Sequence, residues 1–231
     1  VDLLMRQRAV DAVELMDRPD CDARLLDNTY RQFGLVNRLL SGWRKLYVRE
    51  LRPTLAKNTA PATLLDIGSG GGDLAYQLAA WARRDGLPLQ VTGIDPDARA
   101  AAYARGRPPV PGVEFRQAHS ADLVREGRSF DFVISNHVLH HLSAGELQQL
   151  LSDSAALAGR KVLHNDLRRS PAAYALFFAA ALPFRHSYIR VDGLTSIRRS
   201  YTPAELTALA PPAWTVKPAA AFHQLLALRR N

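Results

Sequence analysis

Cysteine is all but absent: Cys21 stands alone in 231 residues. One thiol excludes an internal disulfide framework and a cysteine-rich zinc site. Lysine is nearly as scarce, four against 26 arginines. With alanine, leucine and proline all abundant, that ratio reads as a GC-rich coding bias. Long apolar runs are missing too. The longest candidate, Pro171 to Phe184, holds Tyr174 and two prolines and is too short for a membrane span. The first twenty residues spread acids through the segment and have no apolar signal core. The chain also lacks an internal repeat and a low-complexity tract. These absences predict a soluble, cytoplasmic protein.

What remains is ordinary globular composition, 47% hydrophobic and 23% charged, which excludes a mostly disordered chain. The length suits one or two domains and buries a core without staples. Thirty bases against 22 acids give a net charge of +8. Such a balance can mean a nucleic-acid partner. The excess is local, however: Arg160 to Arg199 holds eight bases and only Asp166 and Asp192 as acids. A solvated face or an anionic small substrate is therefore favoured over nucleic acid.

The chain changes character near residue 62. Before it the pattern is helical: an imperfect stripe through Leu3, Leu4, Met5, Val10, Val13, Leu15 and Met16, then a longer one from Leu25 to Leu55, limited by Pro53. After it strands and helices alternate, with strands at 63–67, 89–95, 113–119, 130–136 and 161–166. Helices are expected at 72–84, 96–105 and 143–158, and another begins at the Thr202 cap. Two close strands, 214–217 and 222–228, suit a terminal hairpin, while 168–200 has no strand pattern. The expected fold is α/β: a doubly wound, mostly parallel seven-stranded sheet with a C-terminal antiparallel hairpin.

The most informative stretch is LLDIGSGGGDL (64–74), with glycines at 68, 70, 71 and 72 between a strand and a helix. This is the carboxyl end of a strand, where open α/β sheets bind ligands. A dinucleotide fingerprint would need glycine at 73, where Asp73 stands. A carboxylate at a helix start opposes a pyrophosphate. It suits a cation, and Asp66 and Asp73 flank the loop. Asp95 ends the second strand, where a carboxylate can accept two ribose hydroxyls. Asp122, in HSADL just past the third strand, could accept from an adenine amine. Each alone reads as a turn glycine or a helix cap about as often as a ligand site. The three in this order form a strong joint signal.

On these residues the chain resembles the class I S-adenosylmethionine-dependent methyltransferases over about 62–228. The resemblance implies the Rossmann-like fold of that family and S-adenosyl-L-methionine as cofactor. It places Asp66, Gly68, Ser69, Gly70, Gly72 and Asp73 in the loop, Asp95 and Pro96 at the ribose, and Ser120, Ala121 and Asp122 at the adenine. Asn136 and His137 would line the methionine end. YRQFGLVNRLLSGWRKLY (30–47) resembles the lid helix of ubiquinone and menaquinone C-methyltransferases. RLLDNTYRQF, HNDLRRS and DGLTSIRRSYTPAEL resemble methyltransferases encoded beside type III polyketide synthases in actinobacteria. The segment NHVLHHL departs from the quinone enzymes after strand four, so their C-methylating specificity is not implied. The expected domains are a helical lid over 1–60 and a methyltransferase domain over 61–231, with 168–200 as a substrate cover.

Methyl transfer from a sulfonium is an in-line displacement, so such an enzyme aligns the reactants and excludes water. A phenolic acceptor also needs its proton removed, and histidine is the usual base. His137, His140 and His141 follow strand four, and any one could equally pack locally. His140 is the favoured base, with His164 and Asp166 at the end of strand five as further catalytic candidates. His140, His164 and Asp166 could in principle make a His₂–carboxylate metal set. Without an HExxH-like spacing or an acid cluster, no metal is expected. Substrate walls are assigned to Tyr30, Phe33, Asn37, Trp43, His140, Tyr174, Phe178, His186 and Arg190, with Phe177 and Phe184 nearby; each apolar one could equally be core. Arg168, Arg169, Arg198 and Arg199 could meet an anion or be solvated.

The expected activity is O-methylation of a phenolic or polyketide-type secondary metabolite with histidine-assisted deprotonation. The alternatives are C-methylation of a quinone-like or polyketide ring and a non-catalytic S-adenosylmethionine-binding protein. An RNA methyltransferase is less favoured, because no basic module is appended, and a nicotinamide dehydrogenase least, because of Asp73. The expected partner is an aromatic or apolar small molecule, with an anionic one allowed. DNA is not expected, and a homodimer is compatible with the sequence.

Overall fold

A computed structural model of the chain describes residues 5–58 and 60–230, without the side chains of Val36, Arg38, Leu39 and Leu40. Seven strands form one sheet: β1 (Ala62–Ile67), β2 (Leu89–Asp95), β3 (Val113–Gln117), β4 (Phe130–Asn136), β5 (Ala158–Leu167), β6 (Thr215–Pro218) and β7 (His223–Arg229). Their order is β3-β2-β1-β4-β5-β7-β6. The first five are parallel, and β7 runs antiparallel to both β5 and β6. The expected sheet and hairpin are therefore present.

Strand periodicity explains why the centre reads as continuous apolar runs. Leu64 and Leu65 are both fully buried, but successive side chains take opposite faces. Leu64 joins Phe132, Ile134, Leu163 and Leu225 on one face; Leu65 joins Val133, Val162 and Leu226 on the other. The helices are α1 (Ala23–Leu40), α2 (Trp43–Leu46), α3 (Arg52–Leu55), α4 (Asp73–Arg84), α5 (Ala98–Gly106), α6 (Ser120–Arg125), α7 (Ala144–Leu157), α8 (Pro171–Ala180), α9 (Ile189–Arg199) and α10 (Pro203–Leu209). The first face is covered by α2, α3 and α4, the second by α6, α7 and α10. None of the described helices is long and apolar enough to cross a membrane.

The N-terminal part corrects the sequence reading. Leu3 and Leu4 lie outside the described residues. From residue 5 to α1 the chain is an irregular strap that includes the short turn Leu15–Asp17. Tertiary contacts override the weak helical stripe. The Ala9 amide donates to the Arg198 carbonyl at 3.1 Å, and the Leu15 and Met16 amides donate to the Asp192 carboxylate at 2.7 and 2.9 Å. The long stripe from Leu25 breaks at Gly42, whose φ of 73° ends α1 and starts α2. Pro53 does not end the helix; it occupies the first turn of α3, where its missing N–H leaves no bond unmade, after a wider turn Tyr47–Leu51. Two further differences follow from local polar bonds. The third strand stops at Gln117, because His119 and Asp122 cap an unforeseen α6. Residues 168–200 contain α8 and α9.

Register lines up the strand ends. Ile67 pairs with Ile94 and Ser135, and Asn136 pairs with Asn165. The carboxyl ends of β1, β2, β4 and β5 thus open on one rim, and the order reverses between β1 and β4. That switch point is where a doubly wound sheet leaves a crevice.

Candidate active site

A cavity of about 880 Å³ occupies that crevice, roofed by the strap, α1, α8 and α9. Its size falls within the range of small-molecule sites. Among the described residues, Arg44 and Lys45 are the arginine and lysine of its lining, beside His137, His140, His141 and His223. Against them stand Glu14, Asp17, Asp66, Asp73, Asp95, Asp97 and Asp192. In a chain of net charge +8, the cavity wall is acidic. It suits positive charge, so the allowance for an anionic acceptor gains no support here.

The glycine loop forms one end. Gly68 has φ 67°, and a Cβ there would lie 2.5 Å from Val138 Cγ2, so the loop and the turn after β4 meet only because no side chain intervenes. Gly70 has φ 52° with no protein atom near its missing Cβ, and its N–H donates to Asp95 Oδ2 at 2.9 Å. The other Asp95 oxygen accepts the Asp97 N–H at 2.9 Å. Asp66 is buried, and its Oδ2 has no hydrogen-bond partner among the described residues. Burial, then Asp73 and Asp95, push its carboxyl well above the usual range. Burial also raises Asp73 and Asp95, though hydrogen bonds offset part of it. These acids want a cation or hydrogen-bond donors in front of them. Ser69 and Pro96 line the same end.

A chain of amides ties α1 and α2 to the rim. Trp43 Nε1 donates to Asn136 Oδ1 at 2.8 Å, and Asn165 Nδ2 donates to the same oxygen at 3.0 Å. Asn136 Nδ2 reaches Asn37 Oδ1 at 3.4 Å, and Asn37 Nδ2 donates to Asp73 Oδ2 at 3.0 Å. Asn37 lines the cavity, whereas Trp43 is buried behind it as a support. Tyr30 and Phe33 line the cavity from α1.

The histidines after β4 build the other end. His140 is buried, and its Nδ1 donates to Asp166 Oδ1 at 2.7 Å. Its Nε2 lies 3.4 Å from Glu14 Oε1, on the strap. Burial works against its charge, but Asp166 and Glu14 outweigh burial and push the imidazole up to about 10. The same attraction draws both carboxyls down to about 2, by His140 for Asp166 and by His141 and His140 for Glu14, each against burial. In this arrangement His140 holds a proton at neutral pH and cannot take another. His141 places Nδ1 3.2 Å from Asp17 Oδ2 and Nε2 3.9 Å from Glu14 Oε1. His137, with φ 58°, meets His223 Nε2 to Nε2 at 3.0 Å. Because His223 Nδ1 donates to the Ala221 carbonyl, its Nε2 is the acceptor and His137 the donor. Burial and His223 push His137 down to about 3, so this pair is neutral.

Several expected site residues lie elsewhere. His164 is fully buried on the opposite side of β5, bonded to Ser135 Oγ at 2.8 Å and stacked on Trp214 at 5.6 Å, and does not line the cavity. Strand alternation puts it on the face of Val162, under α7 and α10. Asp166 supports His140 from behind the wall. Asp122 does not line the cavity: it accepts the His119 N–H at 2.8 Å and pairs with Arg125. Ser120 bonds Asp153, and neither it nor Ala121 lines the cavity. Tyr174 packs under Phe222, exposed Phe178 lies beneath Arg190, and His186 faces solvent. Phe177 lines the wall with Leu176, Ile189, Ile197 and Phe222. Arg168, Arg169, Arg198 and Arg199 do not line the cavity. Arg199 donates to the carbonyls of Ala12, His140 and His141, and buried Arg169 pairs with Glu205. Glu14, Asp17 and His223 were missed. Glu14 carries no signal in the sequence, because an irregular strap delivers it.

Comparison with known proteins agrees with this fold. The profile of a family described as a methyltransferase domain matches residues 64–159. A demethylmenaquinone methyltransferase of Thermus thermophilus is 30% identical over 160 residues, 66% of this chain and 71% of that one. A ubiquinone biosynthesis O-methyltransferase of a Methylobacterium species is 36% identical over 90 residues, 36% of this chain and 32% of its own length. The chain thus spans about a third of that second relative. A solved plantazolicin methyltransferase in complex with SAH superposes with a TM-score of 0.66 at 13% identity, over 100% of this chain and 97% of that one. At that identity the likeness concerns the fold.

Proposed function

This chain belongs to the class I S-adenosylmethionine-dependent methyltransferases, and from that premise we propose that it methylates an oxygen of a small phenolic or polyketide-type metabolite. The observation that carries the reading is one cavity with two unlike ends. An acidic glycine loop forms one, and a histidine cluster beneath an apolar roof forms the other.

The first end fits the cofactor. Asp66 has a buried, partnerless carboxylate oxygen at the cavity wall, a place for an ammonium or sulfonium charge. Gly70 leaves the loop open, and Asp95, held by two backbone amides, would accept ribose hydroxyls. Asp66, Asp95 and the loop would hold S-adenosylmethionine, which supplies an electrophilic methyl group when bound. In place of Ser120, Ala121 and Asp122, the adenine is assigned to the stretch of wall at Pro96 and Asp97, a place the sequence had not singled out for it.

At the second end Leu176, Phe177, Ile197 and Phe222 would cover an aromatic or apolar acceptor and keep water out. Glu14, His140 and His141 mark the place of its polar head. His140 serves as an oriented charge there, because Glu14 and Asp166 keep it protonated. We assign the strap with α1 and the segment 168–200 as the two covers, in a cytoplasmic enzyme of secondary metabolism.

The test is product analysis with an isotopically labelled methyl donor and a panel of phenols, naphthols and quinols. An O–CH₃ carbon resonance supports the reading, and a ring C–CH₃ resonance replaces it with C-methylation. That second reading draws on the similarity to the demethylmenaquinone methyltransferase.

A further inference from the structure

We propose that Glu14, His140 and His141 bind a divalent transition-metal ion, zinc by preference, at the acceptor end of the cavity. Glu14 Oε1 lies 3.4 Å from His140 Nε2 and 3.9 Å from His141 Nε2, and all three ligand atoms lie within 4.8 Å of one another. A tetrahedral ion about 2.0–2.1 Å from each donor needs donors about 3.4 Å apart. The first edge already has that length. The second edge, at 3.9 Å, requires half-buried His141 to approach Glu14 by about 0.5 Å.

An independent observation is the outer shell. Each imidazole has a carboxylate on Nδ1: Asp166 at 2.7 Å for His140 and Asp17 at 3.2 Å for His141. Both carboxylates favour the tautomer that presents an Nε2 lone pair, the arrangement that supports histidines on metals. Glu14 is oriented by Ser196 Oγ, which donates to Oε1 at 2.7 Å. His140 Nε2 is buried and has no hydrogen-bond partner. Two nitrogens and one carboxylate oxygen suit zinc better than a hard oxygen-seeking cation.

The surrounding charge points the same way. Asp17, Asp166 and Asp192 add to Glu14 at this end. Arg8 and Arg199 donate to backbone carbonyls of the 140–142 turn and form no ion pair with these carboxylates. These carboxylates repel an acceptor oxyanion, and the single His140 proton offsets them only in part. A divalent ion, taking the place of the His140 proton released to solvent, offsets the repulsion. It also keeps one position open to the cavity, where it would lower the pKa of an acceptor hydroxyl. That last role rests on the O-methylation reading; the binding itself does not.

The test strips the intact protein with chelator and titrates it with Zn²⁺ against a chromogenic competitor, then with Co²⁺ by visible absorption. Neither cofactor nor acceptor is present, so the result stands apart from any failure of methyl transfer. One equivalent of Zn²⁺ and tetrahedral Co²⁺ bands are expected. Glu14→Gln and His141→Ala should each weaken binding at least about 100-fold, and Asp17→Asn about ten-fold, as outer-shell changes do. His223→Gln should bind like wild type. Circular dichroism checks each fold, with His141→Gln replacing any misfolded His141→Ala. Absence of stoichiometric uptake overturns the site. So does binding that survives Glu14→Gln and His141→Ala but is lost in His223→Gln, which would put the ion on the His137–His223 pair.

Discussion

Glu14 and His140 face each other at 3.4 Å, a strap carboxylate against an imidazole whose other nitrogen is held by Asp166 at 2.7 Å. The contact joins the N-terminal strap, the turn after β4 and the end of β5 in one buried ion array. Removing a single member leaves an uncompensated charge in the interior. Asp166→Ala should therefore lower unfolding stability by about 3–5 kcal/mol, read from urea denaturation of the metal-free protein. A loss below about 1 kcal/mol would mean that water reaches the array.

The same array predicts a pH profile. Asp166, drawn from its ordinary 3.8 to about 2, contributes fully above pH 3.8 and loses its contribution as pH falls toward 2. His140, raised from 6.5 to about 10, contributes fully below pH 6.5 and loses it as pH rises toward 10. His137 and His164 act the other way: neutral in the fold and pulled to about 3, they cost stability as pH drops below 6.5. Stability of the metal-free protein should peak near neutrality and fall on both sides. Asp166→Asn should flatten the alkaline limb, as followed by urea midpoints across pH. An unchanged alkaline limb would show that His140 is not charged in the fold.

His164 separates packing from chemistry. Its ring is enclosed between Ser135 and Trp214. His164→Asn should cost about 1–3 kcal/mol through the lost bond and altered packing, with kcat changed less than about two-fold, well below the loss of a general base. A hundred-fold fall in kcat with an intact fold would restore a catalytic role.

Trp43 lies behind the wall and acts through Asn136. Trp43→Phe keeps an aromatic ring, though a smaller one, and removes the 2.8 Å bond to Asn136 Oδ1. A stability loss of about 0.5–1.5 kcal/mol and a raised KM for the cofactor are expected, with kcat nearly unchanged. Steady-state kinetics separates the two parameters.

The sheet was legible because its strands carry strong local signals. TLLDI, VTGID and FDFVISN are apolar runs closed by turn residues, and Gly68, Gly70 and Asp95 sit where a strand end must meet a ligand. Of the loop residues singled out, Asp66, Gly68, Ser69, Gly70 and Asp73 line the cavity, whereas Gly72 does not. The strap was not legible, because long-range bonds from Asp192, Arg198 and Arg199 hold it against its own weak helical pattern. Glu14 was missed for that reason. His164 and Asp122 were misplaced for another: strand parity and helix capping turned their side chains away from the rim, and neither can be weighed from spacing alone.

Calorimetric titration of S-adenosylmethionine and S-adenosylhomocysteine into wild type and Asp95→Ala tests the cofactor site most directly. Both ligands should bind wild type with one site, and the variant should lose about ten-fold or more in affinity, as expected when charge-assisted hydrogen bonds worth about 1.5–3 kcal/mol are removed. Equal affinity in folded wild type and folded Asp95→Ala, or no binding of either ligand, would contradict the placement of the cofactor between Asp66 and Asp95.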